Sequence, residues 1–344
     1  MEIETLQTDT IDLPWTPDIP GVSYRRFRGE SDYANILAVI NGSKAADGTE
    51  RADTLEEIAH GYSHLVNCNP YRDMLFAEVH GNVVGYTRVF WNRNAEGEWI
   101  GFHLAFLLPA WRGKGLGNSF IQHNESRLRE IAADLIRTGA MEPGSPRYFD
   151  VFSEQTETAK EALLRKYGYQ PARYFFRMVR PDLEDIPEAP MPEGLELRPV
   201  RPEHLDQIWS AMQEAFQDHW NHVPPADEDY RNWATNPIND TSLWKVAWDG
   251  DQVVGMVLSY INHTENQEYN RKRGYTEDIS VRRPWRKRGL ARSLIVQSLY
   301  ALKELGMLEA ALGVDAENLT GATRLYDSVG YRIYQRSTLF RKQF

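Results

Sequence analysis

Two stretches of this 344-residue chain set cations and glycines side by side just ahead of an apolar run with helical spacing: RGKGLG at 112–117 and RKRGLA at 286–291. At the start of a helix the first backbone N–H groups have no partner within the helix, and the helix dipole adds positive potential. Glycine lets an anion come close to the backbone, while arginine and lysine add charge and hydrogen bonds. The chemistry such a junction suits is phosphate binding. One basic cluster beside a glycine is ordinarily a solvated helix start. Here the cluster occurs twice, each time after a strand pattern and before a periodic helix, which favours the phosphate reading.

The elements around the two junctions repeat as well. LLPAWRGKGLGNSFI corresponds to VRRPWRKRGLARSLI, with Arg112 facing Arg286 at an offset of 174 (286 − 112). LFAEVHGNVVGYTRVF corresponds to KVAWDGDQVVGMVLSY, each an alternating strand, a tight turn and a second strand holding Gly85 or Gly255, as in a β-hairpin. KYGYQPARYFFRMVR corresponds to SVGYRIYQRSTLFRK, with Gly168 facing Gly330. Each half then reads as strand, two helices, hairpin, strand, long helix, strand, helix and last strand. That order implies an α+β fold: a mixed, mostly antiparallel sheet with one parallel pair joined by the long helix, flanked by helices. Ahead of the second junction, Tyr275, Glu277, Ile279 and Val281 alternate with Thr276, Asp278 and Ser280, which is strand period. Behind it, Leu290, Leu294, Ile295, Leu299 and Leu302 follow helical spacing. The expected divisions are an arm at 1–21, a first domain at 22–181, a linker at 182–194 where prolines and acids gather, and a second domain at 195–344.

Composition narrows the class. A net charge of −10 argues against general affinity for nucleic acid or anionic lipid, although RRPWRKR would allow a salt-dependent nucleic-acid binder as a distant alternative. No apolar run of about 18 residues suggests a membrane span. The acidic start lacks the pattern of a secretory signal, and a cytoplasmic location is expected. Cys68 is the only cysteine, so neither an intramolecular disulfide nor a cysteine-rich metal site is expected, and the scattered histidines show no metal set. Cys68 also lies outside both motif regions, and no Ser-His-Asp arrangement is apparent, so a covalent enzyme intermediate is not expected.

The two junctions fit a motif of Arg or Gln, two residues, Gly, one residue, then Gly or Ala: Arg112-x-x-Gly115-x-Gly117 and Arg286-x-x-Gly289-x-Ala291. In this the sequence resembles the GCN5-related N-acetyltransferase (GNAT) family over nearly its whole length, as two tandem domains. The resemblance implies acetyl-CoA as acetyl donor. Its pyrophosphate would lie on the backbone of Arg286, Lys287, Arg288, Gly289, Leu290 and Ala291, with the pantetheine arm along Ile279 and Val281. Leu107, Arg112, Lys114, Gly115 and Gly117 are the counterparts in the first half. GVDAENLTGATRLYDSVGYRIY resembles the family's later segment, placing Asn318 at the cofactor and Tyr326 near the thioester sulfur.

By the same resemblance Glu277 is the proton acceptor for the amine, Val281 N–H polarises the acetyl carbonyl, and Tyr326 returns a proton to the departing thiolate. Asp278 competes for the base role, since neighbours on a strand point to opposite faces. The first half departs from this pattern. Aligned through Arg112, His103 stands opposite Glu277 and Leu104 opposite Asp278; aligned through Gly168, Leu164 stands opposite Tyr326 and Thr156 opposite Asn318. The second half is therefore expected to carry the chemistry and the first to be degenerate. The acceptor is expected to be a small primary amine, bound by 214–233 and 258–275, a region including His219 and Trp220. The arrangement is also similar to that of mycothiol synthase, whose acceptor is a cysteinyl amine. A non-catalytic acetyl-CoA-binding regulator is a further alternative. Oligomeric state is not legible.

Overall fold

The computed structural model describes residues 10–318 and 321–344, so the first nine residues of the expected arm lie outside the described residues. The chain divides into two compact units, Met1–Ala172 with Leu339–Phe344, and Arg173–Thr338.

In the first unit β1 (Val22–Arg25) leads into α1 (Tyr33–Asp47), α2 (Leu55–Ser63) and α3 (Pro70–Asp73). The hairpin β2 (Met74–Val79) and β3 (Asn82–Arg93) follows, then β4 (Trp99–Leu107), the long α4 (Leu116–Arg137), β5 (Arg147–Glu154) and α5 (Thr158–Lys166). Pairs β1/β2, β2/β3 and β3/β4 are antiparallel, whereas β4/β5, the pair joined by α4, is parallel.

The second unit takes β6 (Gln170–Arg180) from Arg173 onward, then β7 (Glu196–Arg198), α6 (Leu205–Phe216), α7 (Asp227–Ala234), and the hairpin β8 (Lys245–Asp249) and β9 (Gln252–Tyr260). It continues with α8 (His263–Glu268), β10 (Arg273–Val281), α9 (Leu290–Glu304), β11 (Glu309–Asp315), α10 (Ala322–Ser328) and β12 (Arg332–Gln343). Among the described residues β10/β11, the pair joined by the long helix, is again parallel, whereas β7/β8, β8/β9 and β9/β10 are antiparallel. The mixed sheet expected from the repeat is present in both units.

The units do not coincide with the expected split at 182–194. In the second unit, Phe175–Arg180 of β6 pairs antiparallel with Ala310–Asp315 of β11. In the first, the end of β12 supplies the closing strand: Arg341 forms a bidentate pair with the buried Asp150 at 2.7 and 2.8 Å, and Phe344 stacks on Phe149 at 3.9 Å. Each half of the sequence thus gives its last strand to the other's unit. The sequence pattern specifies a strand in each case but not which sheet edge receives it.

The arm and the linker are also more than connectors. Leu13, Leu183, Ile186 and Leu195 are buried. Ser119 Oγ on α4 donates to Trp15 O at 2.6 Å, and Ser293 Oγ on α9 donates to Ala189 O at 2.9 Å. Trp15 precedes Val22 of β1 by seven residues, as Ala189 precedes Glu196 of β7. The two segments are equivalent straps laid over equivalent helices. Beneath the second strap, Leu290, Leu294, Ile295, Leu299 and Leu302 are buried as their spacing predicts. Truncating one of them to alanine would cost about 2–5 kcal/mol.

Candidate active site

β10 does not run as a regular strand. It pairs with β9 through Glu277↔Leu258 and resumes at Ser280↔Met256, so that Asp278 and Ile279 together oppose Val257 alone. Asp278 takes up the extra residue with φ +47°. This is a β-bulge, which bends a strand, adds twist and re-aims side chains. The alternation expected along the whole of 275–281 therefore holds only to Glu277, and opposite-face geometry does not separate Glu277 from Asp278. What separates them is contact: Glu277 Oε1 accepts a hydrogen bond from Gly313 N–H of β11 at 2.9 Å. The parallel β10/β11 pairing has already stopped at Tyr275↔Ala311, which leaves room between the strands for this side chain.

The surroundings of Glu277 disfavour its charged form. Burial pushes its pKa up to about 8, the neighbouring Asp278 adds to the rise, and Gly313 N–H and Arg177 oppose it. Burial pushes Asp278 up to about 6. Tyr326 is buried at the edge of the core, its ring edge-on to Tyr331 at 6.3 Å between centroids. Burial first and the charge of Glu277 second raise the Tyr326 hydroxyl above its ordinary range, keeping it protonated. Tyr260, raised for the same two leading causes, stacks on Tyr275 at 4.8 Å. Sequence reasoning included Tyr260 only within the acceptor segment 258–275 and did not single out Arg177, because strand pairing is what brings them toward Glu277.

From Val281 the chain enters the junction. Trp285 N–H donates to Arg282 O, Arg286 N–H to Arg283 O, and Gly289 begins α9 at φ +85° after Lys287 at φ +61°. Left-handed residues at a helix start are the backbone arrangement in which N–H groups can gather on an anion. A Cβ placed on Gly289 would meet nothing within 4 Å, and Lys287, Arg288 and Gly289 are exposed, with Leu290 buried and Ala291 half-buried behind them. These residues fit a pyrophosphate.

Arg286 uses its side chain differently from the simple expectation of a phosphate ligand. Its Nε donates to Val281 O at 2.9 Å, and its other nitrogens reach Asp218 at 2.7 Å and Ala215 O at 3.0 Å. It clamps strand β10 to the end of α6, so its contribution to the concavity is backbone and shape. Asp218, held well below the usual carboxylate range by Arg283 and Arg286, is the partner that the motif did not reveal. Asn318 lies at the end of β11, where its N–H donates to Asp315 O at 3.2 Å. Ile279 and Val281 are half-buried beside the core that holds Tyr326.

Of the expected acceptor segments, the loop after α6 approaches the end of β11: Trp220 packs under Arg173 at 5.3 Å, and Arg173 grips Asp315 at 2.8 Å. His219 is exposed and edge-on to Phe216. Tyr275 Oη and Arg271 both bond Glu265, tying α8 to β10. These contacts put aromatic and charged side chains on the segments joined to β10 and to the end of β11.

The first unit repeats the junction but not the bulge. Gly113 and Gly115 carry φ +72° and +100°, and Arg112 clamps Leu107 O at 2.9 Å and Asp47 at 2.6 and 2.9 Å. Leu116 is buried, Gly117 is half-buried, and Lys114 lies over the Trp111 ring at 4.6 Å. Its β3/β4 register, however, runs without interruption from Gly85↔Leu107 to Arg93↔Trp99. The missing residue corrects the alignment made through Arg112. Ahead of the bulge His103 takes the place of Thr276, and Leu104 that of Glu277. Both His103 Nε2 and Thr276 Oγ1 lie within hydrogen-bond distance of the tyrosine after the repeat's Gly, Tyr169 at 2.8 Å and Tyr331 at 2.7 Å. His103 is buried, with its other nitrogen 3.2 Å from Asn124, and burial pushes its pKa down to about 3. It is a neutral core residue. Thr156 donates to Asp47 O, tying the end of β5 to α1, and Leu164 is core. Cys68 is half-buried, its thiol pushed up to about 12, which leaves almost no nucleophilic thiolate at neutral pH.

Among the described residues, no group of three or more His, Cys, Asp and Glu could hold a metal ion, and no helix is long and apolar enough to cross a membrane. Residues 205–331 match the model of the Acetyltransferase (GNAT) family. The chain is 26% identical to mycothiol acetyltransferase of Geodermatophilus obscurus over 303 residues, covering 87% of this chain and 90% of that protein. Among solved structures it is similar to a GCN5-related N-acetyltransferase from Sphaerobacter thermophilus, with TM-score 0.69, 26% identity and coverage of 95% and 96%. It also shares the fold of a tandem GNAT protein from the clavulanic acid biosynthesis pathway, with TM-score 0.64, 15% identity and coverage of 94% and 98%.

Proposed function

We propose, for a chain that is an acetyltransferase of the GNAT family related to mycothiol acetyltransferase, that the second unit moves an acetyl group from acetyl-CoA to a primary amine by direct transfer. The observation that carries this reading is the bulge at Asp278, which sets a half-buried carboxylate on the same strand that ends in the phosphate concavity.

Acetyl-CoA supplies the acetyl thioester, its pyrophosphate held by the backbone of residues 286–291 and its arm beside Ile279, Val281 and Asn318. The amine must be neutral to attack. With a pKa near 8, Glu277 ionises close to working pH and remains basic enough to take the amine proton directly or through one water. Val281 N–H, at the end of the bulged strand, stabilises charge on the acetyl oxygen. As the carbon–sulfur bond breaks, Tyr326 gives its proton to the thiolate, a step for which a hydroxyl kept protonated by burial is suited. Asp278 raises the proton affinity of Glu277 and is not itself the base. The first unit keeps a cradle at Leu107, Arg112, Lys114, Gly115 and Gly117 but lacks the residues that move protons.

The likeness to mycothiol acetyltransferases over most of both chains favours one acceptor class, the amine of a cysteinyl conjugate of a sugar. The test is release of free CoA thiol from acetyl-CoA in the presence of simple amines, amino acids, aminoglycosides and cysteinyl conjugates. Turnover with the cysteinyl conjugates above all others supports this acceptor. Turnover only with another amine rejects it, and no thiol release with any acceptor rejects the enzymatic reading in favour of a binding protein.

A further inference from the structure

β6 precedes the strap 182–194 in sequence, yet from Arg173 onward it belongs to the second unit and pairs with β11. In that register Arg177 stands directly opposite Gly313. Directly opposed residues of antiparallel strands send their side chains to the same face. Gly313 has no side chain, and the position a Cβ would occupy there lies 3.8 Å from Glu277 Oε1, the oxygen that accepts Gly313 N–H at 2.9 Å. Phe176 and Met178, the neighbours of Arg177 on β6, pack into the core with Leu312 and Leu294, so alternation turns Arg177 to the other face. Arg177 and Glu277 therefore address each other across bare backbone.

We propose that Arg177 is a positioning residue for Glu277, keeping the carboxylate ionised and turned toward Gly313 so that its second oxygen faces the acceptor. This rests on Glu277 being the proton acceptor. A half-buried carboxylate with an acidic neighbour is driven toward its neutral form, in which it accepts no proton. The groups that face it are Asp278 on β10, Tyr260 on β9, Tyr326 on α10, Tyr331 before β12 and Arg177 on β6. The three tyrosines are held neutral by burial. Asp278 pushes the proton affinity of Glu277 up, and Arg177 pulls it down. The active site of the second unit would thus depend on a residue of β6, a strand that precedes the strap 182–194 in sequence.

The test has two readouts on the full chain. Carbon-13 NMR of labelled glutamate carboxyls, with Glu277→Gln assigning the resonance, follows the titration of Glu277 without any ligand. Arg177→Gln is expected to move that titration up by roughly one pH unit, and Arg177→Lys, which keeps the charge, to return it to the wild-type value. The acid limb of kcat/KM, followed by thiol release, is expected to shift with it while KM for acetyl-CoA stays unchanged. An unmoved titration in Arg177→Gln overturns the proposal. A titration that moves while the acid limb stays in place overturns the base role of Glu277, and the proposal with it, leaving only an electrostatic contact.

Discussion

β10 and β4 are the same strand of the same repeat, and they differ by one residue. β10 bulges at Asp278 and brings Glu277 onto Gly313, whereas β4 runs in unbroken register and puts Leu104 in that place. The junction just beyond the difference is shared: the arginine clamp on the preceding strand, the two left-handed residues, and the serine bonded to a strap. On the proposed function, a phosphate cradle made largely of backbone would survive substitution of its side chains. A proton-transfer site needs particular groups at particular atoms, so the proposal gives the chemistry to the unit that has the bulge.

The comparison can be broken most severely by deleting Asp278. That variant gives β10 the register of β4, with Glu277 still opposite Leu258 but without the bulge that re-aims side chains, and turnover is expected to vanish while circular dichroism still reports a folded chain. Retained turnover would mean that the bulge has no part in the chemistry. Glu277→Gln is expected to lower kcat by about 10²–10⁴-fold with little change in KM for acetyl-CoA, and Tyr326→Phe by roughly 10²-fold. His103→Gln in the first unit is expected to leave kcat near wild type, and stopped assays on these three variants rank the units directly. In wild type, a carboxylate base with a pKa near 8 requires kcat/KM to fall about tenfold per pH unit on the acid side of that value.

Stability should separate the units by sign. Glu277 has a folded pKa raised from 4.5 to about 8, so its contribution to stability is greatest at low pH and is lost as pH rises through that window. Glu277→Gln should therefore gain Tm over wild type as pH approaches 8. A benefit of about 1 kcal/mol would correspond to roughly 2–4 °C. His103 has a folded pKa depressed from 6.5 to about 3, so its contribution is present at neutral pH and is lost on acidification through that window. Thermal scans from pH 4 to 8 would show opposite slopes for the two variants relative to wild type. The smallest expected effect concerns the cradles. In the first, Pro17 of the strap lies 2.8 Å from where a Gly115 Cβ would be, whereas Gly289 is open. Calorimetric titration with acetyl-CoA is expected to show Arg288→Glu weakening the dominant site several-fold and Lys114→Glu leaving it unaltered.

Much of this was readable in the sequence. The repeat, the hairpins, the helix buried through Leu290 to Leu302 and the two junctions all follow from period and local chemistry, and the structure has them where the spacing put them. Glu277 and Tyr326 could be proposed from the sequence because a local segment carries each. The alignment of His103 with Glu277 was not sound, because matching at Arg112 counts residues evenly and a bulge consumes one without advancing the pairing. The arm and linker read as unstructured for a similar reason: single apolar anchors such as Leu13 and Leu183, spaced without period, give no helical or strand signal.

The sequence by itself determined the elements, their order and the two glycine-containing helix junctions, since periodicity, glycine freedom and helix ends are local physics. Tertiary structure decided which strands pair at the end of each unit, where β10 bulges, that Arg286 braces β10 against α6, and that Arg177 stands opposite Gly313, whose N–H bonds Glu277. These depend on hydrogen bonds between residues distant in the chain. A strand edge offers similar N–H and C=O groups to many partners, so only competition among whole folds selects the partner that each receives.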